Sequence, residues 1–470
     1  MTMLNKRDVI ILGGGAGGLT AASVLSQLGL KVTLIEKNKT LGGDCLHYGC
    51  VPSKALLHQA KIQHVLKQSY AHNVEQQPQL FQQAMQAVHA AIAKIQQHDD
   101  PKRFESYGCE VLFGHGEFVE KKQVVVNGQV YYGKKIIIAT GSSPTLPPIS
   151  GLKSCDYLTN ETIFSLEKMP QSLLIIGAGV IGIEMAQAFV RLGVEVSVLD
   201  ISDEVLPMLD IDAAKTLRTT LEKEGVKFYL KANINKVYHL DDYICLDLAC
   251  ANKSKTLKAE KLLVATGRAS NCHNLALEKT NVKYTKQGIV VNANLQTSQK
   301  HIYAIGDVIA EPLKFTHLAE YHASLVISQI AFKWKQKVNY KALPSVIYTQ
   351  PECAMVGTIS ETDKIKITTF AMSEIDRAIT DQHLMGFCKV FTMKDKVVGA
   401  VIVGAHAGEL ISEWTLAINQ KLTVKSIAQT IHAYPTLAQI NKRVAGRYYA
   451  PALFNKKTKF IVKCLNILSR

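Results

Sequence analysis

Residues 9–37 read VIILGGGAGGLTAASVLSQLGLKVTLIEK, and this stretch decides the fold of the chain. An apolar strand runs into a glycine-rich turn, a helix follows, and a second strand ends at Glu36. Gly13 permits the tight turn, Gly15 lets the backbone approach a pyrophosphate, and Gly18 lets the helix pack closely on the strand. Glu36 is placed to accept hydrogen bonds from ribose hydroxyls. The stretch therefore predicts a dinucleotide-binding unit with the phosphates at the helix N-terminus.

The same pattern recurs in residues 173–200, LLIIGAGVIGIEMAQAFVRLGVEVSVLD, with Gly177, Gly179 and Gly182. Asp200 ends the second strand at the spacing that the acid has in the first copy. One such motif alone is a weak signal, because glycine turns before helices are common, but two copies in the same context are a strong one. The chain is therefore expected to bind two dinucleotides.

Residues 42–54, GGDCLHYGCVPSK, place Cys45 and Cys50 at the start of an expected helix. The proline that follows has no amide hydrogen to lose in the first turn, so the helix is expected to begin near Cys50. A thiolate there faces the positive end of the helix, which lowers a thiol pKa. The motif predicts a redox-active dithiol. Cys245 and Cys250 have the same spacing but fall on an expected strand, and we interpret them as structural.

The chemistry of a dithiol and a nicotinamide indicates which dinucleotides bind. Nicotinamide moves hydride, and a flavin handles both hydride and thiol adducts, so one site is expected to hold FAD and the other NAD(H). Asp200 would hydrogen-bond a free ribose 2′-hydroxyl and repel a 2′-phosphate, and the ISDEV that follows contains no arginine. The sequence therefore predicts NADH over NADPH, with NADP(H) as the open alternative.

Composition limits the remaining classes of function. The chain has 470 residues, of which 47% are hydrophobic, enough for two to four domains with sizeable cores. No run approaches the roughly 18 apolar residues of a membrane span. Ten scattered cysteines favour a reducing, cytoplasmic location. The net charge of +15 comes from lysines spread along the chain without a nucleic-acid-binding module, so no nucleic acid partner is expected. No metal site is expected either.

The last residues, NKKTKFIVKCLNILSR at 455–470, interleave four lysines with apolar side chains. As a helix this tail would be basic and amphipathic, which suits an anionic membrane surface and a location peripheral to the inner face of the membrane. A tail packed on its own protein or on a partner subunit is the competing interpretation. Residues 78–97 also show helical periodicity, which we interpret as packing without chemistry. The apolar face of that helix comprises Leu80, Ala84, Val88, Ala91, Ile92 and Ile95.

With these motifs in view, the chain resembles the flavoprotein disulfide reductases over nearly its whole length. These are the class I pyridine nucleotide-disulfide oxidoreductases, which include glutathione reductase, dihydrolipoyl dehydrogenase and mercuric reductase. The resemblance rests on the dithiol motif, both glycine signatures and four further segments. These are IIIATGS at 136–142, LLVATGR at 262–268, TSQKHIYAIGDV at 297–308 and YTQPECAMVG at 348–357.

The resemblance implies an α/β fold with two Rossmann-like dinucleotide-binding domains, for FAD and NAD(P), and a C-terminal α+β dimerisation domain that forms a homodimer. The implied order is an FAD-binding domain at 1–150, an NAD(P)-binding domain at 151–270, a return to the FAD-binding domain at 271–340, a dimerisation domain at 341–450 and a basic amphipathic tail at 451–470.

The resemblance also assigns roles to single residues. Cys50 resembles the thiol beside the flavin, and Cys45 resembles the interchange thiol that meets the substrate. Lys54 matches the lysine near flavin N5, and Glu184 matches its ion-pair partner. Asp307 resembles the acid that binds the ribityl chain. The remaining candidate cofactor contacts are Gly43, Gly116, Thr140, Gly141, Gly267 and Thr316.

The segment IHAYPTLAQI at 431–440 departs from the pattern. Glutathione reductase and dihydrolipoyl dehydrogenase carry a histidine before the Pro-Thr and a glutamate that orients it, where this chain has Tyr434 and Gln439. Tyrosine titrates near pH 10 and is a poor acid-base group at neutral pH, which argues against efficient dithiol–disulfide turnover. His432 could substitute, although a histidine in such a segment is more often a packing or hydrogen-bonding residue. In the family pattern this segment completes the partner's site across the dimer.

A tyrosine at this position resembles mercuric reductases, in which thiolates bind a soft metal ion. Their paired C-terminal cysteines are absent here, where only Cys464 stands. The leading prediction is a mercuric-reductase-like enzyme that passes electrons from NAD(P)H through FAD to a Cys45–Cys50 disulfide and on to a thiophilic or small acceptor. One alternative is dihydrolipoyl dehydrogenase. An alternative of another class is a membrane-docked electron-transfer protein that reduces a quinone or a protein partner.

Overall fold

The computed structural model describes residues 5–69, 77–250, 253–311, 313–360 and 362–468. The chain falls into two compact units, one made of residues 1–201 and 226–338 and the other of residues 202–225 and 339–470. Their parallel and antiparallel sheets, described below, confirm the predicted α/β class with a C-terminal α+β domain.

The described helices are α1 (Ala16–Gln27), α2 (Gly43–His47), α3 (Cys50–Ser69), α4 (Gln77–Gln96), α5 (Pro101–Ser106), α6 (Val180–Arg191), α7 (Ile211–Glu224), α8 (Thr316–Ala331), α9 (Asp376–Thr380), α10 (Ala407–Asn419), α11 (Val424–Gln429), α12 (Gln439–Leu453) and α13 (Lys456–Leu468). The described strands are β1 (Asn5–Leu12), β2 (Val32–Glu36), β3 (Cys109–Phe113), β4 (Glu117–Glu120), β5 (Gln123–Val126), β6 (Gln129–Ile138), β7 (Ser142–Pro144), β8 (Tyr157–Leu158), β9 (Ser172–Ile176), β10 (Glu195–Leu199), β11 (Lys227–Tyr229), β12 (Asn233–Leu240), β13 (Tyr243–Cys250), β14 (Lys253–Ala259), β15 (Lys261–Val264), β16 (Arg268–Ser270), β17 (Tyr284–Thr285), β18 (Gly288–Ile289), β19 (Ile302–Ala304), β20 (Pro344–Ile347), β21 (Glu352–Gly357), β22 (Lys366–Ala371), β23 (Phe387–Met393) and β24 (Lys396–Gly404).

The first unit is built on two parallel sheets, one for each glycine signature. In the first sheet the order is β3-β2-β1-β6-β19, and β5 and β4 continue antiparallel from β6. Every residue of β2 is buried, as expected for a parallel strand covered on both faces. The second sheet has the order β11-β10-β9-β15-β8 and is also parallel. In both sheets the strand that enters the glycine turn is central, so the turn lies at the carboxyl edge where ligands bind.

A three-stranded antiparallel sheet, β12-β13-β14, lies in the chain between β11 and β15 of the second parallel sheet. It contains Cys245, which is buried, and Cys250, whose thiol donates to the Leu230 carbonyl at 3.2 Å. These contacts agree with the structural interpretation of that pair.

The second unit contains an antiparallel sheet of order β20-β21-β24-β23-β22. Helix α10 packs on it through the fully buried Trp414, whose indole donates to Asn441 of α12 at 2.7 Å. Helix α7 also belongs to this unit. Asp210 caps α7 and pairs at 2.8 Å with the buried Lys389 of β23. Residues 202–225 therefore lie with the second unit and not with the rest of the predicted 151–270 domain, while the other predicted boundaries stay predictions.

Two helices that the sequence predicts are present in the structure. The periodic segment predicted at 78–97 is α4, and the basic tail contains α13. None of the helices in the described part of the chain is long and apolar enough to cross a lipid bilayer.

Candidate active site

The first glycine signature forms a backbone cradle that only glycine permits. Gly13 has φ +109°, and a Cβ on Gly18 would lie 1.9 Å from the Gly13 carbonyl oxygen. Glu36 is buried and accepts the Gly14 amide at 2.7 Å, so the acid at the end of β2 holds the turn in shape. A Cβ on Gly43 would lie 2.7 Å from Gly15 Cα, which shows that the dithiol segment approaches the cradle backbone to backbone. The open helix end and the missing side chains fit the pyrophosphate of FAD.

The second signature repeats this geometry. A Cβ on Gly182 would lie 1.9 Å from the Gly177 carbonyl oxygen, and Asp200 Oδ2 accepts the Ala178 amide at 2.6 Å. A Cβ on Gly179 would meet nothing within 4 Å, so the approach to this helix end is open. The cradle therefore fits a second dinucleotide.

Other candidate cofactor contacts lie in loops that hydrogen bonds fix. The Thr140 hydroxyl donates to the Asn271 carbonyl at 2.7 Å, and the Asn271 amide donates to the Gly141 carbonyl at 2.9 Å. Gly267 has φ +137° and no close neighbour but Thr145. Gly116 packs in the core, where a Cβ would lie 2.9 Å from Leu12.

Asp307 lies at the end of a polar chain that the sequence did not reveal. Its carboxylate accepts from Ser142 at 2.7 Å, and Arg268 Nε donates to the same serine hydroxyl at 2.8 Å. Arg268 also pairs with Asp44 of the dithiol segment at 3.0 Å. In the sequence, the only signal for a role of Arg268 is its position at the end of the LLVATGR motif.

The two cysteines of the dithiol motif lie on consecutive helices. Cys45 is within α2, and Cys50 is the first residue of α3, as predicted for the helix start. Both are free thiols, and each shifts the pKa of the other. Thr316, the first residue of α8, places its hydroxyl 3.3 Å from Cys50 Sγ. The positive ends of two helices thus meet at one sulfur.

This arrangement gives the two sulfurs different proton affinities. The pKa of Cys50 is lowered to about 6, because three effects outweigh its burial. They are the hydrogen bond from Cys45, the hydrogen bond from Thr316 and the positive charge of the nearby Lys54. The pKa of Cys45 is raised, because its proton is held in the bond to Cys50 and because it is partly buried. At neutral pH Cys50 therefore carries the charge and Cys45 keeps the proton.

Lys54, one turn after Cys50, forms an ion pair with Glu184 of α6 at 2.8 Å. The Glu184 side chain is only 3% exposed, so this carboxylate needs the ammonium as its partner. The pair joins the dithiol helix to the helix of the second glycine signature.

A cavity of about 530 Å³ opens beside Cys50 between α3 and α4. Its lining is mostly apolar and includes Cys50, Lys54 and His58 from α3 and Ala87, Ala91 and Ile95 from α4. The interpretation of the α4 face as packing alone is therefore incomplete, because two of its predicted apolar residues line the space next to the reactive sulfur.

The second unit contains the 431–440 segment. His432 Nδ1 lies 3.1 Å from the Thr430 carbonyl oxygen, and Nε2 lies 3.1 Å from the Glu413 carboxylate. Both ring nitrogens thus face acceptors, which leaves none to take a thiol proton and favours the hydrogen-bonding role over the catalytic one. Tyr434 is 69% exposed. Its hydroxyl is hydrogen-bonded to Asp376, which raises the pKa of Tyr434.

Known proteins share both the sequence and the fold. The family model described as pyridine nucleotide-disulphide oxidoreductase matches residues 7–323, and the model of its dimerisation domain matches residues 343–444, which supports a homodimer. Dihydrolipoyl dehydrogenase 1 of Arabidopsis thaliana is 35% identical over 95% of this chain and 91% of its own length. Dihydrolipoyl dehydrogenase of Bacillus subtilis is 34% identical over 93% of this chain and 97% of its own.

Leghemoglobin reductase of Vigna unguiculata is 35% identical over 95% of this chain and 88% of its own. Among solved structures, the HOCl-induced flavoprotein disulfide reductase RclA of Escherichia coli superposes with a TM-score of 0.84 at 25% identity, covering 93% of this chain and 99% of its own. LpdA of Mycobacterium tuberculosis superposes with a TM-score of 0.85 at 24% identity, covering 95% and 100%.

Proposed function

Because the chain belongs to the pyridine nucleotide-disulphide oxidoreductase family, we propose that it moves electron pairs between NAD(H) and a lipoyl-type dithiol–disulfide couple. It is an FAD-dependent oxidoreductase that uses NAD(H). The relatives named dihydrolipoyl dehydrogenase favour the dihydrolipoyl dehydrogenase alternative over the mercuric-reductase-like hypothesis that Tyr434 suggested.

The proposal rests on one observation, the unequal hydrogen bonding of the Cys45 and Cys50 sulfurs. When Cys45 and Cys50 are joined as a disulfide, a substrate thiolate can attack either sulfur, and the thiol of lower pKa leaves faster. Attack on Cys45 expels Cys50 as the thiolate that Thr316 and the start of α3 stabilise. The second substrate thiolate then attacks the substrate sulfur of this mixed disulfide, which closes the substrate disulfide and releases Cys45 as the leaving thiolate. The enzyme keeps the electron pair as a dithiol.

FAD, when bound, supplies the two-electron step between this dithiol and the nicotinamide. The residues proposed to hold it are Gly13, Gly15, Gly18, Gly43 and Asp307. Lys54 pairs with Glu184 at 2.8 Å, and its positive charge favours the thiolate form of Cys50. Gly177, Gly179, Gly182 and Asp200 are proposed to hold NAD(H).

The cavity beside Cys50 supports an apolar substrate. An oxidised lipoyl group carries a hydrocarbon chain, whereas glutathione disulfide carries several carboxylates that arginine side chains would normally bind. Among the described residues, the lining of this cavity contains no arginine, and its one lysine, Lys54, is paired with Glu184. The lining therefore favours the lipoyl chain.

A comparison of acceptors tests the proposal. NADH oxidation by the purified holoenzyme is measured with lipoamide, glutathione disulfide and mercuric ion, and NAD⁺ reduction is measured with dihydrolipoamide. We expect the lipoamide couple to give the largest kcat/KM and Cys45→Ser to abolish it. A larger value for glutathione disulfide would contradict the proposal.

The second candidate function, reduction of a thiophilic metal ion, is favoured by Tyr434 alone. A metal ion that binds thiolates does not require an acid-base residue to remove a substrate proton at each turnover. The mercuric ion assay decides this point, since a kcat/KM above that for lipoamide would establish the metal as the preferred acceptor.

A further inference from the structure

The C-terminal helix α13 presents an uncovered apolar surface. None of its residues is buried. More than half of the surface of each large apolar side chain is exposed, in Phe460, Ile461, Val462, Leu465, Ile467 and Leu468. Leu453 and Phe454, just before the helix, are 56% and 71% exposed. Large apolar side chains grouped in this way mark an interaction surface.

The charge of this region has a single sign. After Glu413 the sequence contains no aspartate or glutamate, and it contains seven lysines and three arginines. Although lysines are spread along the whole chain, the residues after Glu413 therefore supply ten of its fifteen net positive charges. Such a surface attracts a partner that is itself anionic.

The helix separates these two kinds of side chain in part, since Phe460 and Ile467 fall on the side of the lysines and Lys457 falls beside Leu468. At 100° per residue, Ile461, Leu465 and Leu468 fall on one face. Lys456, Lys459 and Lys463 fall on the opposite face. Helix α13 begins at a defined residue, because the Asn455 side chain accepts a hydrogen bond from the Thr458 amide at 2.8 Å and so caps the helix.

We propose that α13 docks the protein on an anionic lipid bilayer. A helix of 13 residues spans about 20 Å at 1.5 Å per residue, which is too short to cross the roughly 30 Å hydrocarbon core. It lies in the plane of the interface, with Ile461, Leu465 and Leu468 toward the acyl chains and the lysines at the headgroup phosphates. The docking is independent of the redox proposal.

Charge complementarity favours lipid over a second copy of the helix. Two α13 helices joined through their apolar faces would carry eight lysines and no acid, so no ion pair could form between them and their like charges would oppose association. An anionic bilayer offers both phosphates for the lysines and hydrocarbon for the apolar face.

Vesicle sedimentation of the full-length holoenzyme tests the proposal. We expect binding to vesicles of phosphatidylcholine mixed with phosphatidylglycerol, little binding to phosphatidylcholine alone, and weaker binding at high salt. The triple variant I461S/L465S/L468S and the quadruple variant K456Q/K457Q/K459Q/K463Q should each lower the bound fraction by about tenfold or more.

The matched control removes four exposed lysines elsewhere, in K279Q/K283Q/K286Q/K300Q. It should bind as the unaltered protein does, and an equal loss would mean that net charge and not α13 drives binding. Flavin absorbance and sedimentation velocity check that each variant is a folded dimer. If I461S/L465S/L468S became monomeric, the apolar face would belong to the dimer contact and the proposal would be overturned. Unchanged vesicle binding by the triple variant would overturn it as well.

Discussion

At the scale of single residues, the chemistry depends on which sulfur holds the proton. The Thr316 hydroxyl lies within hydrogen-bond distance of the Cys50 sulfur, and the neighbouring Cys45 thiol lowers the pKa of Cys50 further. The positive end of the α3 helix dipole also stabilises the Cys50 thiolate. A symmetric pair of cysteines would offer no preferred leaving group, so the asymmetry itself directs substrate attack to Cys45.

We expect Thr316→Val to raise the pKa of Cys50 from about 6 by roughly one unit, because a hydrogen bond to a charged group is lost. Alkylation of the reduced enzyme by iodoacetamide, followed against pH, measures this value, since only the thiolate reacts. In the unaltered protein the rate should rise through pH 6 and level off above it. Thr316→Ser keeps the hydroxyl and should leave the profile unchanged. A valine variant with the original profile would show that the contact does not tune Cys50.

We propose that the charge of Asp200 sets the choice between NADH and NADPH. Asp200→Asn keeps an acceptor for the Ala178 amide but removes the repulsion of a 2′-phosphate. We expect the NADH/NADPH ratio of kcat/KM for flavin reduction to fall by about tenfold, measured by stopped flow. Glu195→Gln, at the far end of β10, is the control and should not change the ratio. An unaltered ratio in Asp200→Asn would mean that other residues discriminate the two cofactors.

At the scale of elements, the glycines of the second cradle have separable tasks. In Gly182→Ala the Cβ would lie 1.9 Å from the Gly177 carbonyl, so α6 must move off β9 and thermal stability should fall. In Gly179→Ala the Cβ meets no protein atom within 4 Å, so stability should hold while NADH binding weakens by about tenfold or more. Differential scanning calorimetry and NADH titration measure the two effects. Equal stability loss in both variants would contradict this division.

Local elements could be predicted from the sequence, because their signals are local. The two strand-turn-helix units follow from glycine spacing, and the start of α3 at Cys50 follows from the proline after it. Contacts between distant parts of the chain carry no such signal. Thr316 meets Cys50 across 266 residues, and Lys389 holds α7 in the second unit through Asp210. Neither pair shows a spacing pattern, so the sequence alone could not place them together.

At the scale of the whole molecule, turnover depends on the group that accepts the substrate thiol proton. In the family pattern the 431–440 segment reaches the partner's site, and here it presents Tyr434, whose pKa is raised by Asp376. We expect Y434H/Q439E to raise kcat for dihydrolipoamide oxidation by roughly tenfold or more near neutral pH, because a histidine with its carboxylate accepts protons there. Steady-state rates against pH measure it, with Tyr434→Phe as the control. A double variant no faster than the parent would show that this segment does not limit proton transfer.

The exposed lysines of α13 also have a consequence for anyone who handles the protein. Trypsin-like proteases cleave after lysine, and a solvent-exposed terminal segment is where nicking concentrates. We expect the residues after Asn455 to be cleaved first during storage or in crude extract. Because the dithiol and both cradles lie in the other compact unit, a truncated sample should keep its flavin absorbance and its activity. It should no longer bind vesicles. Intact mass should therefore be recorded before any binding experiment.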